Sequence, residues 1–189
     1  MYRDSFQAHL DQCVILRDIY FYSLDATRLG LVLTPACDIA QSKAVYVQVC
    51  ALFPAWEFIS SLLRNDWSNI GALDGKGNLR PLAELSNSKK SDLLGKIKQL
   101  VGQRFPRYHW FAPFPGDSEP LVGDFQNVTS LPVAEVAKLE VVAELLSPYR
   151  EQVPARYAAY MGRVGTPDFE DTSIQQWIQS GMKQIFPVS

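Results

Sequence analysis

The stretch KAVYVQVCALF, from Lys43 to Phe53 of this 189-residue chain, is the strongest strand signal in the sequence. Successive side chains of a β-strand point to opposite faces, so the stretch divides into two alternating sets. Both sets are largely apolar: Val45, Val47, Val49, Ala51 and Phe53 alternate with Ala44, Tyr46, Gln48, Cys50 and Leu52. A strand that is apolar on both faces is covered on both sides. We therefore expect Lys43–Phe53 to be a central strand of a small sheet.

Further strand candidates lie on either side of this stretch. The β-branched and aromatic content of Cys13–Tyr22 predicts two short strands or one bent strand, and Leu29–Thr34 is a short apolar run that ends at Pro35. Three more candidates follow later in the chain: Arg107–Phe111, Leu121–Thr129 and Lys138–Leu145.

Helical patterns separate and follow these strands. Trp56–Leu63 has helical apolar spacing, and Ser88 is a candidate N-cap for a second helix that extends to Val101. Ser147-Pro148 predicts another helix start, with Pro154 inside as a point where the helix kinks or splits. Residues 174–185 predict a final amphipathic helix. The pattern as a whole predicts an α+β fold.

Composition indicates a globular protein of the cytoplasm. Apolar residues make up 47% and charged residues 20%, and the formal net charge is −2. The three cysteines are odd in number and irregularly spaced, which suits a reducing compartment and predicts stability without disulfide, metal or cofactor. No signal peptide or membrane-spanning stretch is apparent, so we expect a soluble chain that does not enter a membrane. The acidic balance means that nucleic-acid binding would depend on a local patch.

One candidate site follows the predicted strand that ends at Thr34. Thr34-Pro35-Ala36-Cys37-Asp38 places three polar groups where a buried strand emerges. Cys37 is a candidate nucleophile, for which His9 or His109 would have to supply the base. The alternative is structural: a half-buried cysteine beside an aspartate that forms a turn.

A second candidate site interleaves basic and aromatic side chains. Arg104, Arg107, Tyr108 and His109 lie within six residues, together with Phe105 and Trp110. Aromatic rings stack on bases and cations hold phosphates, so the segment is a candidate for binding single-stranded RNA. The alternative is an amphipathic strand whose ends are solvated.

Three stretches resemble the PemK/MazF-like barrel, a small SH3-like fold of bacterial toxins that cut RNA. Arg28–Thr34 is similar to that family's arginine-led strand ending in Ser or Thr, and Ala44–Pro54 to the apolar strand that follows. Phe125–Thr129, continued through Lys138-Leu139 and the helix at Ser147, resembles its closing segment. The T-x-x-C-D-I string from Thr34 to Ile39 also resembles uncharacterised bacterial proteins of similar length.

The resemblance implies a small SH3-like β-barrel or a strongly curved sheet, with inserted helices and C-terminal helices. We expect a single domain over residues 1–189, with a barrel core at about 13–146, a helical insertion at about 55–104 and C-terminal helices at about 147–187. Metal-free RNA cleavage needs a base near the ribose hydroxyl and a cation for the phosphate. By resemblance Arg28 would supply the cation and Thr34 a positioning hydroxyl, with Asp38 as a candidate base.

Three functional hypotheses stay open at this point. The first is a metal-independent endoribonuclease-like toxin of a bacterial defence or toxin–antitoxin system. The second is a non-catalytic binding module or a subunit of a larger complex, which the acidic balance favours, and the third is an enzyme that depends on Cys37. The candidate partners are an antitoxin or complex subunit, single-stranded RNA, and a second copy of the chain.

Overall fold

The computed structural model describes residues 2–4, 10–114 and 119–162. Within these ranges the chain forms a seven-stranded antiparallel sheet that curls into a half-barrel, so the predicted α+β fold with a strongly curved sheet is confirmed. The strands are β1 (Tyr2–Asp4), β2 (Val14–Phe21), β3 (Ala26–Val32), β4 (Tyr46–Pro54), β5 (Tyr108–Phe111), β6 (Leu121–Pro132) and β7 (Val141–Leu145). Their order across the sheet is β1-β7-β2-β3-β4-β6-β5.

Helices connect and cover these strands. They are α1 (Ala36–Ala40), α2 (Ala55–Arg64), α3 (Asn87–Val101), α4 (Val133–Val136) and α5 (Tyr149–Met161), with 3₁₀ turns at Ser68–Ile70 and Leu82–Glu84. The sequence patterns predicted α2, α3 and α5. They did not predict α1 or α4, which are single turns too short to show a helical period.

Strand β4 has the interior position that its two apolar faces predict. It pairs with β3 on one side and with β6 on the other. Val47 and Val49 are fully buried, whereas Val45 precedes the strand and is exposed. The strand is therefore shorter at its start than Lys43–Phe53, but its place inside the sheet is confirmed.

Strand β2 is a single bent strand. Its pairing with β3 shifts register between Leu16 and Ile19, and the two residues between them are exposed. Such a bulge bends a strand and strengthens its twist. Asp18 adopts a φ of 60° within it. The bend contributes to the curl of the sheet while Leu16 and Ile19 stay buried.

The sheet has a packed layer on each face. The face that carries Phe53 and Tyr108 packs against α2, whose buried residues are Ala55, Phe58, Ile59, Leu62 and Leu63. The other face carries Leu52 and Phe111 and packs against α5 through Val153. Neighbouring residues of one strand therefore enter different layers, which determines the direction in which each candidate side chain points.

Two helix predictions are corrected in detail. The N-cap of α3 is Ser86, whose hydroxyl accepts a hydrogen bond from the backbone N–H of Lys89, and Ser88 lies inside the helix. Helix α5 begins at Tyr149, one residue later than predicted, and it is not split at Pro154. Proline cannot donate to the carbonyl four residues earlier. The Cys13 thiol donates to that carbonyl, at Arg150, across 3.3 Å. The helix predicted at 174–185 lies outside the described residues.

Candidate functional site

The residues of the first predicted site lie at opposite ends of β3. Arg28 is near the start of the strand, opposite Ile19 of β2, whereas Thr34 lies two residues beyond its end. The six residue steps from Arg28 to Thr34 span about 20 Å in extended conformation. The structure therefore does not bring Arg28 together with Thr34, Cys37 and Asp38, and no single reacting group would contact all four.

At the Thr34 end of β3, the polar residues form hydrogen bonds within the connection from β3 to β4. The Thr34 hydroxyl accepts a hydrogen bond from the backbone N–H of Gln48 at 2.8 Å, which extends the β3–β4 pairing beyond the end of β3. Cys37 and Asp38 belong to α1, and the exposed Cys37 thiol lies 3.6 Å from the Asp38 carboxylate. The backbone carbonyl of Asp38 accepts hydrogen bonds from the N–H groups of Lys43 and Ala44. This end is a short, hydrogen-bonded connection from β3 to β4.

At the other end of β3, Arg28 lines a groove of about 390 Å³ together with Arg107 and Tyr108. These residues belong to two different sets in the sequence analysis, and folding brings them into one site. The groove lies on the α2 side of the sheet, between that helix and the strands β3, β4 and β6. Neither this groove nor the smaller one that Arg28 also lines includes Thr34, Cys37 or Asp38.

The floor of the groove is a row of three aromatic rings. The centroids of Phe53 and Phe58 are 5.3 Å apart, and those of Phe58 and Tyr108 are 5.1 Å apart. A guanidinium lies over each end of the row: Arg28 Cζ is 5.3 Å from the Phe53 centroid, and Arg107 Cζ is 5.0 Å from that of Tyr108. Cation–π attraction holds both guanidinium groups against the rings. The rings are inclined to one another, by 45° between Phe53 and Phe58 and by 78° between Phe58 and Tyr108, so the arrangement presents mostly buried ring edges between two cations.

Arg107 is anchored by the buried carboxylate of Asp124. Its Nε and Nη2 each donate to one Asp124 oxygen at 2.7 Å, in the paired geometry that guanidinium and carboxylate favour. Asp124 also accepts from the backbone N–H of Gln126 and the side-chain amide of Asn127. The hydrogen bond to Asp124 is the main cause that raises the pKa of Arg107. Nη1 of Arg107 is not used in these bonds and is available to a ligand.

Arg28 is held more loosely. Its Nη1 and Nη2 donate to the two oxygens of Glu57 at 3.0 and 2.7 Å, but the Glu57 side chain is 52% exposed. Exposed ion pairs contribute little to stability, so a competing anion can replace Glu57 at small cost. The Nε of Arg28 is buried and has no hydrogen-bond partner among the described residues. Arg28 is therefore the more exchangeable of the two cations.

The groove carries more negative than positive charge. Three carboxylates, those of Glu57, Asp66 and Asp124, line it with Arg28 and Arg107, which gives a formal charge of −1. The Tyr108 hydroxyl donates to Asp66 at 3.4 Å, and burial raises the pKa of Tyr108 to about 12. The hydroxyl therefore stays protonated at neutral pH. Chemically, the groove suits a flat ring with polar edges that carries or adjoins an anionic group.

Two residues of the predicted RNA-binding segment do not face this groove. Arg104 is exposed at the end of α3 and does not line it. His109 is fully buried on the opposite face, with its ring centroid 4.5 Å from that of Phe111, because it alternates with Tyr108 along β5. His109 is therefore enclosed by protein in this structure and is not part of the groove. Burial lowers the pKa of His109 to about 3, and neither ring nitrogen has a hydrogen-bond partner among the described residues.

Sequence reasoning did not identify Glu57, Phe58 or Asp124 as parts of a site. Glu57 is 29 positions from Arg28, and Asp124 is 17 positions from Arg107. No local spacing connects such pairs, since they meet only through α2 packing and through β5–β6 pairing. The one usable signal was the aromatic content of the segments around each arginine.

Within residues 2–4, 10–114 and 119–162, no group of three or more His, Cys, Asp and Glu side chains is arranged to hold a metal ion. In the same ranges, no helix combines the length and hydrophobicity needed to cross a membrane.

Comparison with known proteins gives little similarity. No family model and no curated protein matches the chain. A solved structure described as an endoribonuclease in complex with its cognate antitoxin from Mycobacterial species aligns with a TM-score of 0.40 and 9% identity. The alignment covers 83% of this chain and 99% of that one. At this level of similarity, nothing about the function of this chain follows from the alignment.

Proposed function

We propose that this chain is a toxin-like small-barrel protein of a bacterial toxin–antitoxin or defence system, and that it acts on single-stranded RNA through the groove between Arg28 and Arg107. The observation that carries the proposal is the row of aromatic rings with a guanidinium over each end. Single-stranded RNA is bound by such combinations, because bases stack on rings while cations hold the backbone. The PemK/MazF-like pattern of the sequence supports the same substrate.

In the proposed complex a base contacts the edges of the Phe58 and Tyr108 rings that reach the groove. Nη1 of Arg107 donates a hydrogen bond to one phosphate. The ion pair between Arg28 and Glu57 breaks, and Arg28 then donates to a second phosphate. The volume of about 390 Å³ is within the range of ligand-binding clefts. The freed Glu57 carboxylate then lies beside the phosphate and is a candidate general base. The sequence analysis had assigned that role to Asp38.

A second candidate function is a non-catalytic binding module of a larger complex, which binds through the same groove. The charge of the groove favours it. Both guanidinium groups already pair with carboxylates. A ligand with N–H donors could bind the carboxylates of Glu57 and Asp66 just as a phosphate could bind the arginines.

The proposal is tested by fluorescence anisotropy with a labelled, unstructured oligoribonucleotide. We expect Arg28→Ala to weaken binding about tenfold, because a charge-assisted hydrogen bond contributes about 1.5–3 kcal/mol. The slope of log binding constant against log salt concentration should become about 0.7 less steep, as expected for the loss of one phosphate contact on a single strand. Arg17→Ala is the matched control, since Arg17 also pairs with an exposed carboxylate, that of Glu140, but lies outside the groove.

Cleavage of the same oligoribonucleotide in the presence of a chelator separates the candidates. Metal-free cleavage that is lost in Glu57→Gln supports the toxin-like enzyme, whereas binding without cleavage supports the binding module. Cleavage that is lost only in Cys37→Ser would support the enzyme centred on Cys37. Wild-type protein that binds no RNA, or equal binding by wild type and Arg28→Ala, would overturn the proposed use of the groove.

A further inference from the structure

Helix α5 contacts the groove segment from the opposite face of the sheet, through Arg156. Nη2 of Arg156 donates to the backbone carbonyl of Phe105 at 3.2 Å and to that of Tyr108 at 3.1 Å. These two carbonyls flank Arg107, whose side chain lines the groove. One guanidinium of α5 therefore joins both ends of the short segment that carries the groove's anchored cation.

The rest of that segment is fixed from the same face. The carbonyl of Arg107 accepts a hydrogen bond from the backbone N–H of Phe125 at 3.0 Å. The Phe125 ring in turn packs against Tyr157 of α5, with centroids 5.4 Å apart. With the backbone held on the α5 side, the Arg107 and Tyr108 side chains are held on the groove side. Their positions depend on contacts that no groove ligand touches.

The burial of Arg156 indicates that these bonds come at a cost. Its Nε is buried and has no hydrogen-bond partner among the described residues. Burial lowers the pKa of Arg156, as desolvation does for any cation. An apolar side chain at this position would avoid that cost but would leave the carbonyls of Phe105 and Tyr108 without this donor.

We infer that Arg156 is a positioning residue for the groove: through the carbonyls of Phe105 and Tyr108, helix α5 sets the geometry in which Arg107 and Tyr108 meet a ligand. This inference rests on the proposed function, in which Arg107 contacts RNA. It assigns to α5 a role in ligand binding although the helix lies on the other side of the sheet.

A double-mutant cycle on RNA binding tests the coupling. Arg156→Ala should weaken binding about three- to tenfold in the wild-type background and less than twofold in Arg107→Lys, because the lysine has already lost the paired geometry with Asp124. A purely structural role would give equal factors in both backgrounds and would overturn the inference. Arg156→Lys keeps a donor at this position, so we expect it to bind RNA more tightly than Arg156→Ala. If Arg156→Ala does not fold, Arg156→Lys takes its place in the cycle.

Arg150→Ala is the matched control on α5. Arg150 pairs with Asp11 and Glu144, away from the groove segment. The substitution should lower the free energy of unfolding, because α5 loses these ion pairs, but RNA affinity should stay within twofold of wild type. A loss of affinity in Arg150→Ala as large as that in Arg156→Ala would contradict a specific role for Arg156.

A ligand-independent measurement separates this inference from the proposed function. Hydrogen exchange of the Arg107 Nε proton, followed by NMR, reports the bond to Asp124 without RNA. We expect exchange at least tenfold faster in Arg156→Ala, a smaller increase in Arg156→Lys, and no change in Arg150→Ala. If wild-type protein binds no RNA but the exchange responds in this way, only the proposed function fails. Unchanged exchange in Arg156→Ala means that Arg156 does not position Arg107.

Discussion

The two ends of strand β3 carry similar polar residues but differ in their surroundings. At one end Arg28 joins Arg107 over a row of aromatic rings that floors a groove. At the other end the Thr34 hydroxyl bonds the neighbouring strand, and Cys37 lies exposed on a single helical turn. A polar group becomes available to a ligand where a cavity, an apolar surface and unused donors coincide, and only the Arg28 end combines them.

The difference also concerns what is buried. The groove end depends on the buried carboxylate of Asp124 and on the half-buried Arg156, each of which is held by at least two hydrogen bonds. The Thr34 end has its charges at the surface. Buried polar groups are costly when a partner is lost, so substitutions at the two ends should have very different effects on stability.

The largest expected effect is that of Asp124→Ala. The substitution leaves the part-buried Arg107 and the amide of Asn127 without their shared acceptor. Because the Arg107 side chain is 36% exposed and water can solvate part of it, the loss should lie at the lower end of the range for buried ion pairs, about 3 kcal/mol, and the midpoint of urea unfolding should fall. Asp38→Ala is the control at the other end and should stay within about 0.5 kcal/mol of wild type. Equal losses in the two variants would remove the difference between the ends.

Acid should destabilise the protein through His109, which is buried on the face of the sheet opposite the groove. Its pKa is lowered to about 3 in the folded protein, against about 6.5 when unfolded. Above pH 6.5 the ring is neutral in the folded and the unfolded state, so the protonation of His109 does not reduce the free energy of unfolding. As the pH falls below 6.5 the unfolded state binds the proton first, so stability decreases by about 1.4 kcal/mol per pH unit, or about 2 kcal/mol at pH 5.

His109→Leu isolates this acid effect, because it replaces an unpaired buried ring with an apolar side chain of similar volume. Denaturant unfolding of both proteins between pH 7.5 and 5 should give a smaller decrease for the variant. Parallel decreases would show that the sensitivity to acid comes from other groups.

Thr34→Val should have a moderate effect, which marks Thr34 as a structural residue. Valine has nearly the same shape, but it removes the acceptor for the Gln48 N–H at the end of the β3–β4 pairing. We expect a loss of about 1 kcal/mol in unfolding free energy. Hydrogen exchange at the Gln48 amide should increase, while RNA affinity should not change. A large loss of affinity without a loss of stability would return Thr34 to the functional site.

The smallest effects are expected for Cys37→Ser and Asp38→Asn. Cys37 is exposed, and the contact between the two side chains is a weak 3.6 Å bond. Both variants should unfold within about 0.5 kcal/mol of wild type and bind RNA with unchanged affinity. A selective loss of activity in either variant would favour a site at the Thr34 end.

The sequence predicted strands β2 to β7 and the longer helices because their signals are local, but it did not predict β1, which has only three residues. The apolar faces of Lys43–Phe53 and the helical spacing of Trp56–Leu63 predicted β4 and α2 within a few residues. Single turns such as α1 and α4 have no period to detect, and an N-cap at Ser86 or at Ser88 is equally consistent with the same apolar pattern.

The candidate site was predictable only in part. Arg28, Arg107 and Tyr108 were selected, but from two separate motifs, and proximity in sequence grouped Arg28 with Thr34 although β3 holds them far apart. Their partners Glu57 and Asp124 depend on packing and strand pairing, which a single sequence does not encode in local spacing. The burial of His109 follows from strand alternation, and the same alternation exposes Tyr108 to the groove.

Ultraviolet crosslinking of an oligoribonucleotide to the wild-type protein, read by mass spectrometry, shows which end of β3 contacts RNA. If RNA binds in the groove, crosslinks form to peptides that contain Phe53, Phe58 or Tyr108, because bases in contact with these rings lie within reach of them. Their yield should fall in Arg28→Ala and stay unchanged in Arg17→Ala. Crosslinks confined to residues 34–41, with none to the aromatic row, would contradict the account and place the site at the other end of β3.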